Sequence, residues 1–173
     1  LKKTEQVIIL GCGTAFHAAK IGEYFFHDFC RLPAKAELAS EFRYQNPVID
    51  GKTLVVAVSQ SGETADTLIA GKEAKAKGAM VLGIVNVPGS TIARLADAGI
   101  YSHAGPELAV ASTKAFITQV ADLALLAIFL GQQRQTLKIK ESRAVLTEFG
   151  SIATKIKEIL GQDKKIKALA KKY

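Results

Sequence analysis

The sequence predicts an α/β protein, a three-layer α-β-α arrangement around a five-stranded parallel sheet. Three observations predict it. Short apolar runs alternate with longer segments of helical periodicity. The runs are apolar at consecutive positions, as strands covered on both faces must be. Several end in turns rich in Gly, Ser or Thr, which right-handed crossovers would gather along one rim of the sheet.

Gln6-Val-Ile-Ile-Leu10 reads as the first strand, closed by the tight turn Gly11-Cys-Gly-Thr14 and followed by a helix over 15–30. A second strand is expected at Ala36-Glu-Leu-Ala39, then a capped helical turn over 40–44 before Asn46-Pro47. The third strand, 54–59, hands over to a helix over 63–77, with Gly78 as its stop signal. Met80-Val-Leu-Gly-Ile-Val85 is the fourth strand, and Asn86-Val-Pro-Gly-Ser90 turns into a short helix over 91–96. A fifth strand is expected over 98–103. The helix over 112–130 is apolar nearly all round, so it is deeply buried or covers an interface. Over 140–160, Val145, Phe149, Ile152, Ile156 and Ile159 recur every three or four residues, as on an amphipathic helix. The expected organisation is one domain over 1–135 followed by C-terminal helices over 136–173.

The net charge of +7 is uneven: residues 1–137 are nearly balanced, and residues 138–173 carry 10 Lys and Arg against 4 Asp and Glu. The only aromatics in that basic segment are Phe149 and Tyr173, so a solvated face is expected rather than a nucleic-acid surface. The longest apolar stretch, 120–130, is short for a bilayer span and contains Asp122, so no membrane segment is expected. Two cysteines make neither a disulfide framework nor a zinc site, and a reducing cytoplasm is the simplest setting. Leu1-Lys-Lys-Thr4 carries no leader-type sequence and no initiator Met, which suggests a piece of a longer chain.

The most informative segment is Ser59-Gln-Ser-Gly-Glu-Thr64, where a buried strand meets a helix N-terminus. Unpaired backbone N–H groups and the positive end of the helix dipole make such a place a phosphate site. Gly62 permits close approach, and Ser59, Ser61 and Thr64 can donate to phosphate oxygens. An ordinary capped helix start is the other reading. Gly11-Cys-Gly-Thr-Ala-Phe16 has the setting of a dinucleotide fingerprint, but Phe16 stands at its third glycine position. Cys12 lacks a His–Asp constellation and reads as a small residue at a crowded turn. His17, His27 and His103 show no metal-ligand spacing. Glu107 and Lys114 flank a loop leading into the long helix, capped by Ser112 or Thr113; they could meet sugar hydroxyls or form a salt bridge.

Cys12-Gly-Thr14, Ala39-Ser-Glu-Phe-Arg-Tyr44, Ser59-Gln-Ser-Gly-Glu-Thr-Ala-Asp-Thr67, Asn86-Val-Pro-Gly-Ser90 and Val110-Ala-Ser-Thr-Lys-Ala-Phe116 occur in order. Together they resemble the first sugar isomerase (SIS) subdomain of the glutamine–fructose-6-phosphate aminotransferases, over about residues 6–130. The resemblance implies a flavodoxin-like fold. It implies that Ser59, Gln60, Ser61 and Thr64 hold the phosphate of fructose 6-phosphate, and that Thr14, Val110 and Ser112 contact the sugar. Cys12, Gly13 and Glu107 are further candidates. Many members carry Ser after Cys-Gly-Thr, where this chain has Ala15.

The resemblance further implies a glutaminase domain and a second SIS subdomain in the parent chain, the latter holding the catalytic residues. No catalytic residue, metal or organic cofactor is therefore expected here, and residues 136–173 would lead to the second subdomain. A homodimer is expected. A free-standing SIS sensor of phosphosugars and a dinucleotide-dependent oxidoreductase are the rival readings.

Overall fold

The computed structural model describes residues 1–108 and 112–173. Its strands are β1 Gln6–Gly11, β2 Ala34–Leu38, β3 Thr53–Ser59, β4 Met80–Val85 and β5 Ala98–Tyr101. All pair in parallel in the order β2-β1-β3-β4-β5, the flavodoxin-like arrangement. Every residue of β3 is buried, because helices cover both faces of the sheet's centre. Register follows from the pleat. Val7 and Ile9 of β1 share one core with Leu54, Val56 and Val58 of β3. Ile8, Leu10, Val55 and Ala57 point into the other.

The first core is closed by α1 Thr14–Phe25 and α5 Lys114–Gln133, the second by α2 Ala39–Phe42, α3 Ala65–Ala76 and α4 Thr91–Leu95. Helix α1 buries Ala15, Ala18, Ala19 and Gly22, small residues that bring its backbone close to the sheet. The predicted single helix over 15–30 ends differently: its last turn, Phe26–Cys30, widens to π geometry. It stops at Arg31 in the left-handed conformation, just before Pro33.

β2 begins two residues before the predicted strand and ends one before it. Two side chains from the preceding helical segment hold this edge strand: Glu23 accepts the Ala36 N–H, and His27 Nε2 accepts the Ala34 N–H at 3.1 Å. His27 is thus structural. β5 ends at Tyr101, short of the predicted 103, because His103 turns into positive φ.

Helix α5 runs beyond the predicted residue 130. Its 20 residues are long and apolar enough, by length and composition alone, to cross a membrane, a test that a mostly buried core helix also passes. In this fold Leu123, Ala127 and Leu130 are instead buried against α1 and the sheet. Near its end, Arg134 Nη1 donates to the Thr4 carbonyl at 2.9 Å.

Residues Leu1–Leu137 form one compact unit and Lys138–Tyr173 another. The second contains α6 Ile139–Leu160 and α7 Asp163–Lys172. Glu141 accepts the Lys138 N–H at 3.0 Å at the start of α6. Exposed pairs such as Lys155–Glu148 contribute little to its stability.

Candidate functional site

Because all strands are parallel, the turns after β1 and β3 emerge at the same rim, side by side at the centre of the sheet. Between them and the segment leading into α5 lies a cleft of about 400 Å3. The first turn supplies Cys12, Gly13, Thr14 and Ala15; the second supplies Val58, Ser59, Gln60, Ser61 and Thr64. Glu107, Ser112 and Gln119 complete the lining.

Hydrogen bonds shape the second turn from within. Ser59, 2% exposed, accepts the Gly62 N–H at 3.0 Å and shares a 2.9 Å bond with the Thr64 hydroxyl. Ser61 Oγ accepts the Glu63 N–H at 3.1 Å. Thr64 precedes α3 without capping it, so the helix start keeps N–H groups for an external anion. Gly62 has φ +67, and a Cβ there would run into the Ser90 hydroxyl. Glu63 points away from the cleft and accepts the Thr91 N–H at 2.8 Å; hydrogen bonds from Thr91 hold its carboxyl below the usual range. The Gly62 carbonyl accepts the Ile92 N–H at 2.9 Å, so two of the six residues in this segment fasten it to α4.

The third side of the cleft is built around Glu107. One carboxylate oxygen accepts the Ser112 hydroxyl at 2.9 Å, the other the Thr113 N–H at 2.9 Å. The Thr113 N–H, ahead of the Ser112 hydroxyl, lowers the Glu107 pKa. Asn86 braces the preceding segment, accepting the Ala104 N–H and donating to the Gly105 carbonyl, each at 2.8 Å.

Among the described lining residues none is cationic, and only Cys12 and Glu107 titrate. Charge on a ligand must be met by hydroxyls, N–H groups and the α3 dipole. No group of His, Cys, Asp and Glu among the described residues could hold a metal ion.

Comparison with known proteins decides the family. Residues 1–129 match the SIS domain. The chain belongs to the SIS domain family. It is 48% identical over 171 residues to the glutamine–fructose-6-phosphate aminotransferase (isomerizing) of Streptomyces coelicolor, covering 99% of this chain and 28% of that protein. It is 49% identical over 172 residues to the enzyme of that name from Chlorobaculum tepidum, with the same coverage. The C-terminal domain of glucosamine-fructose-6-phosphate aminotransferase from Francisella tularensis superposes with a TM-score of 0.94 at 33% identity, over 97% of this chain and 48% of that one. The chain thus spans little more than a quarter of the length of these curated relatives.

In this SIS domain nine of the residues singled out from sequence line one cleft: Cys12, Gly13, Thr14, Ser59, Gln60, Ser61, Thr64, Glu107 and Ser112. The tenth, Val110, lies outside the described residues. One expectation is corrected. Neither Ser112 nor Thr113 makes a side-chain cap on α5; Glu107 takes the Thr113 N–H instead, because its side chain reaches back over the helix start. The salt bridge, one of the two readings of Glu107 and Lys114, does not form: Lys114 Nζ donates to the Pro106 carbonyl at 2.6 Å, and Glu107 is occupied by Ser112 and Thr113. Sequence reasoning missed Gln119, a polar residue on an otherwise apolar helical face; that interruption was the available signal.

Proposed function

We propose that this SIS domain is the phosphosugar-binding half of the isomerase region of a glutamine–fructose-6-phosphate aminotransferase, taking fructose 6-phosphate and glucosamine 6-phosphate. The observation that carries the reading is the uncapped α3 N-terminus facing a cleft beside the Ser61 and Thr64 hydroxyls. That arrangement neutralises an anion without a cation. The cleft volume suits a hexose phosphate better than a dinucleotide. The 48% identity to an aminotransferase over nearly the whole chain supplies the rest.

In the proposed assignment Ser61, Thr64 and Gln60 hold the phosphate, with Ser59 aiming Thr64. Thr14 and Ser112 face the sugar, and Val110 is assigned to the sugar end with them. Glu107 shapes the loop, its oxygens being already engaged. Among the described lining residues there is no free base to move a proton between C1 and C2, and no amine for a Schiff base. We therefore expect binding without turnover, with catalysis in a second SIS subdomain reached through residues 138–173, and ammonia from a glutaminase domain. The parent protein is proposed to be a cytoplasmic homodimer that needs no cofactor.

Calorimetry with fructose 6-phosphate and fructose tests the reading. The phosphate ester should bind far more tightly; equal affinities would refute it. A coupled assay for glucosamine 6-phosphate, run on residues 1–173 with ammonia, should read background only.

A further inference from the structure

Gln119 is the lining residue whose buried polar atom has no hydrogen-bond partner among the described residues. It sits in the second turn of α5, is 2% exposed, and leaves Oε1 unpaired. A buried acceptor without a donor costs stability, and folded proteins retain one mainly where a water or a ligand completes it. The described hydroxyls nearest to it in the chain are already engaged. Ser112 and Thr113 donate to Glu107, and Thr118 donates to the Ala115 carbonyl. The backbone beneath Gln119 is fixed, since Ala115 and Leu123, one turn to either side, are fully packed. A group on such a helix holds its position better than one on a loop.

The cleft is therefore chemically lopsided. Its α3 end presents donors, at Ser61, Thr64 and the helix terminus. Its α5 end presents an acceptor already spent, Glu107, and an acceptor still open, Gln119 Oε1. A ligand with an anion at one end and hydroxyl donors along its chain satisfies both ends at once. We propose that Gln119 accepts a hydrogen bond from a hydroxyl of the sugar chain and so distinguishes polyhydroxylated phosphates from simple ones. The proposal rests on the phosphosugar reading of the cleft. A site built to bond a hydroxyl rejects analogues that lack it, because its buried acceptor then stays unpaired.

The alternative occupant is a buried water. Asp122, one turn further along α5, is a second buried acceptor, with the Ser102 hydroxyl beside it. A water bridging these groups would give Gln119 a structural role only.

Calorimetry on residues 1–173 with fructose 6-phosphate and inorganic phosphate separates the cases, comparing wild type with Gln119→Met, of similar length but without the amide. Fructose 6-phosphate should bind roughly tenfold more weakly to the variant, with inorganic phosphate unchanged. Equal loss for both ligands, or loss for neither, overturns the proposal. In wild type, the Gln119 side-chain amide resonances should shift with fructose 6-phosphate and stay fixed with inorganic phosphate. That readout holds even if the variant fails to fold, and an unmoved resonance overturns the proposal. A wild-type chain that binds neither ligand overturns the phosphosugar reading and this proposal together. One that binds fructose 6-phosphate with Gln119 silent overturns this proposal alone.

Discussion

The Ser59 and Thr64 hydroxyls are joined by a 2.9 Å hydrogen bond across the turn between β3 and α3. Each hydroxyl has a single proton, so one of them must accept. Ser59 Oγ already accepts the Gly62 N–H. With Ser59 donating to Thr64, the Thr64 proton stays available for a ligand oxygen, and the two residues divide the work between framing and contact.

Ser59→Ala should therefore damage both fold and binding. Leaving the Gly62 N–H without its partner costs about 1–3 kcal/mol, read as a shifted denaturant midpoint. Fructose 6-phosphate affinity should fall roughly tenfold or more. Ser61→Ala, at a half-exposed position, should lower affinity to a similar degree while leaving the midpoint nearly unchanged. Matching stability losses in the two variants would contradict this division.

Gly62→Ala forces a side chain into φ +67 and against Ser90. The strain is worth about 1–3 kcal/mol, and the turn must also shift away from α4. We expect a lower thermal midpoint and no measurable phosphosugar binding at concentrations that saturate the wild type. Gly13→Ala is the control: its φ is +57, but a Cβ there meets nothing within 4 Å. It should carry backbone strain without the collision.

The Glu107 clamp gives the α5 entry a pH dependence. Its carboxyl is held below the usual carboxylate range, chiefly by the Thr113 N–H. A depressed folded-state pKa contributes stability that is fully present above the unfolded-state value and disappears as pH falls through the folded-state value. The Thr113 amide proton should therefore keep its hydrogen-bonded chemical shift through neutral pH. It should move only below the ordinary range for glutamate. In Glu107→Gln the transition should vanish. A Thr113 shift that titrates at or above the ordinary range would rule out the clamp.

The two cysteines should behave oppositely toward a thiol reagent. Burial pushes Cys30 up to about 12, and its S–H donates to the Ala127 carbonyl at 3.1 Å. Cys12 is half-buried at the cleft. One thiol per native chain should label, and it should be absent from Cys12→Ala. Saturating fructose 6-phosphate should slow its labelling. Labelling of Cys30 under native conditions would show that α1 and α5 separate readily.

What the sequence revealed tracks the length scale of each signal. β3 and β4 were legible almost to the residue, because a strand buried on both faces must be apolar nearly throughout and a polar residue, Ser59 or Asn86, marks its end. The β3–α3 turn was equally clear. β2 was misplaced because an edge strand of Ala, Lys and Glu has no such pattern; Glu23 and His27, remote in sequence, hold it in place. The π turn at Phe26–Cys30 leaves no local mark. A salt bridge between Lys114 and Glu107 was a natural reading of two opposite charges flanking one loop, but charge alone does not register the nearby Pro106 carbonyl that Lys114 meets. Gln119 escaped notice because a buried glutamine on an apolar helix acquires meaning only once the turns after β1 and β3 are folded over it.

The contact between Arg134 and Thr4 has a mechanical consequence. Chain entering at Thr4 and chain leaving at Arg134 pass within one hydrogen bond of each other. Both lie toward the starting ends of the strands, while the cleft sits beyond their finishing ends, roughly 20 Å away for strands of six residues. A load carried between Thr4 and Arg134 therefore crosses one side-chain contact at the far end of the sheet and bypasses the binding turns.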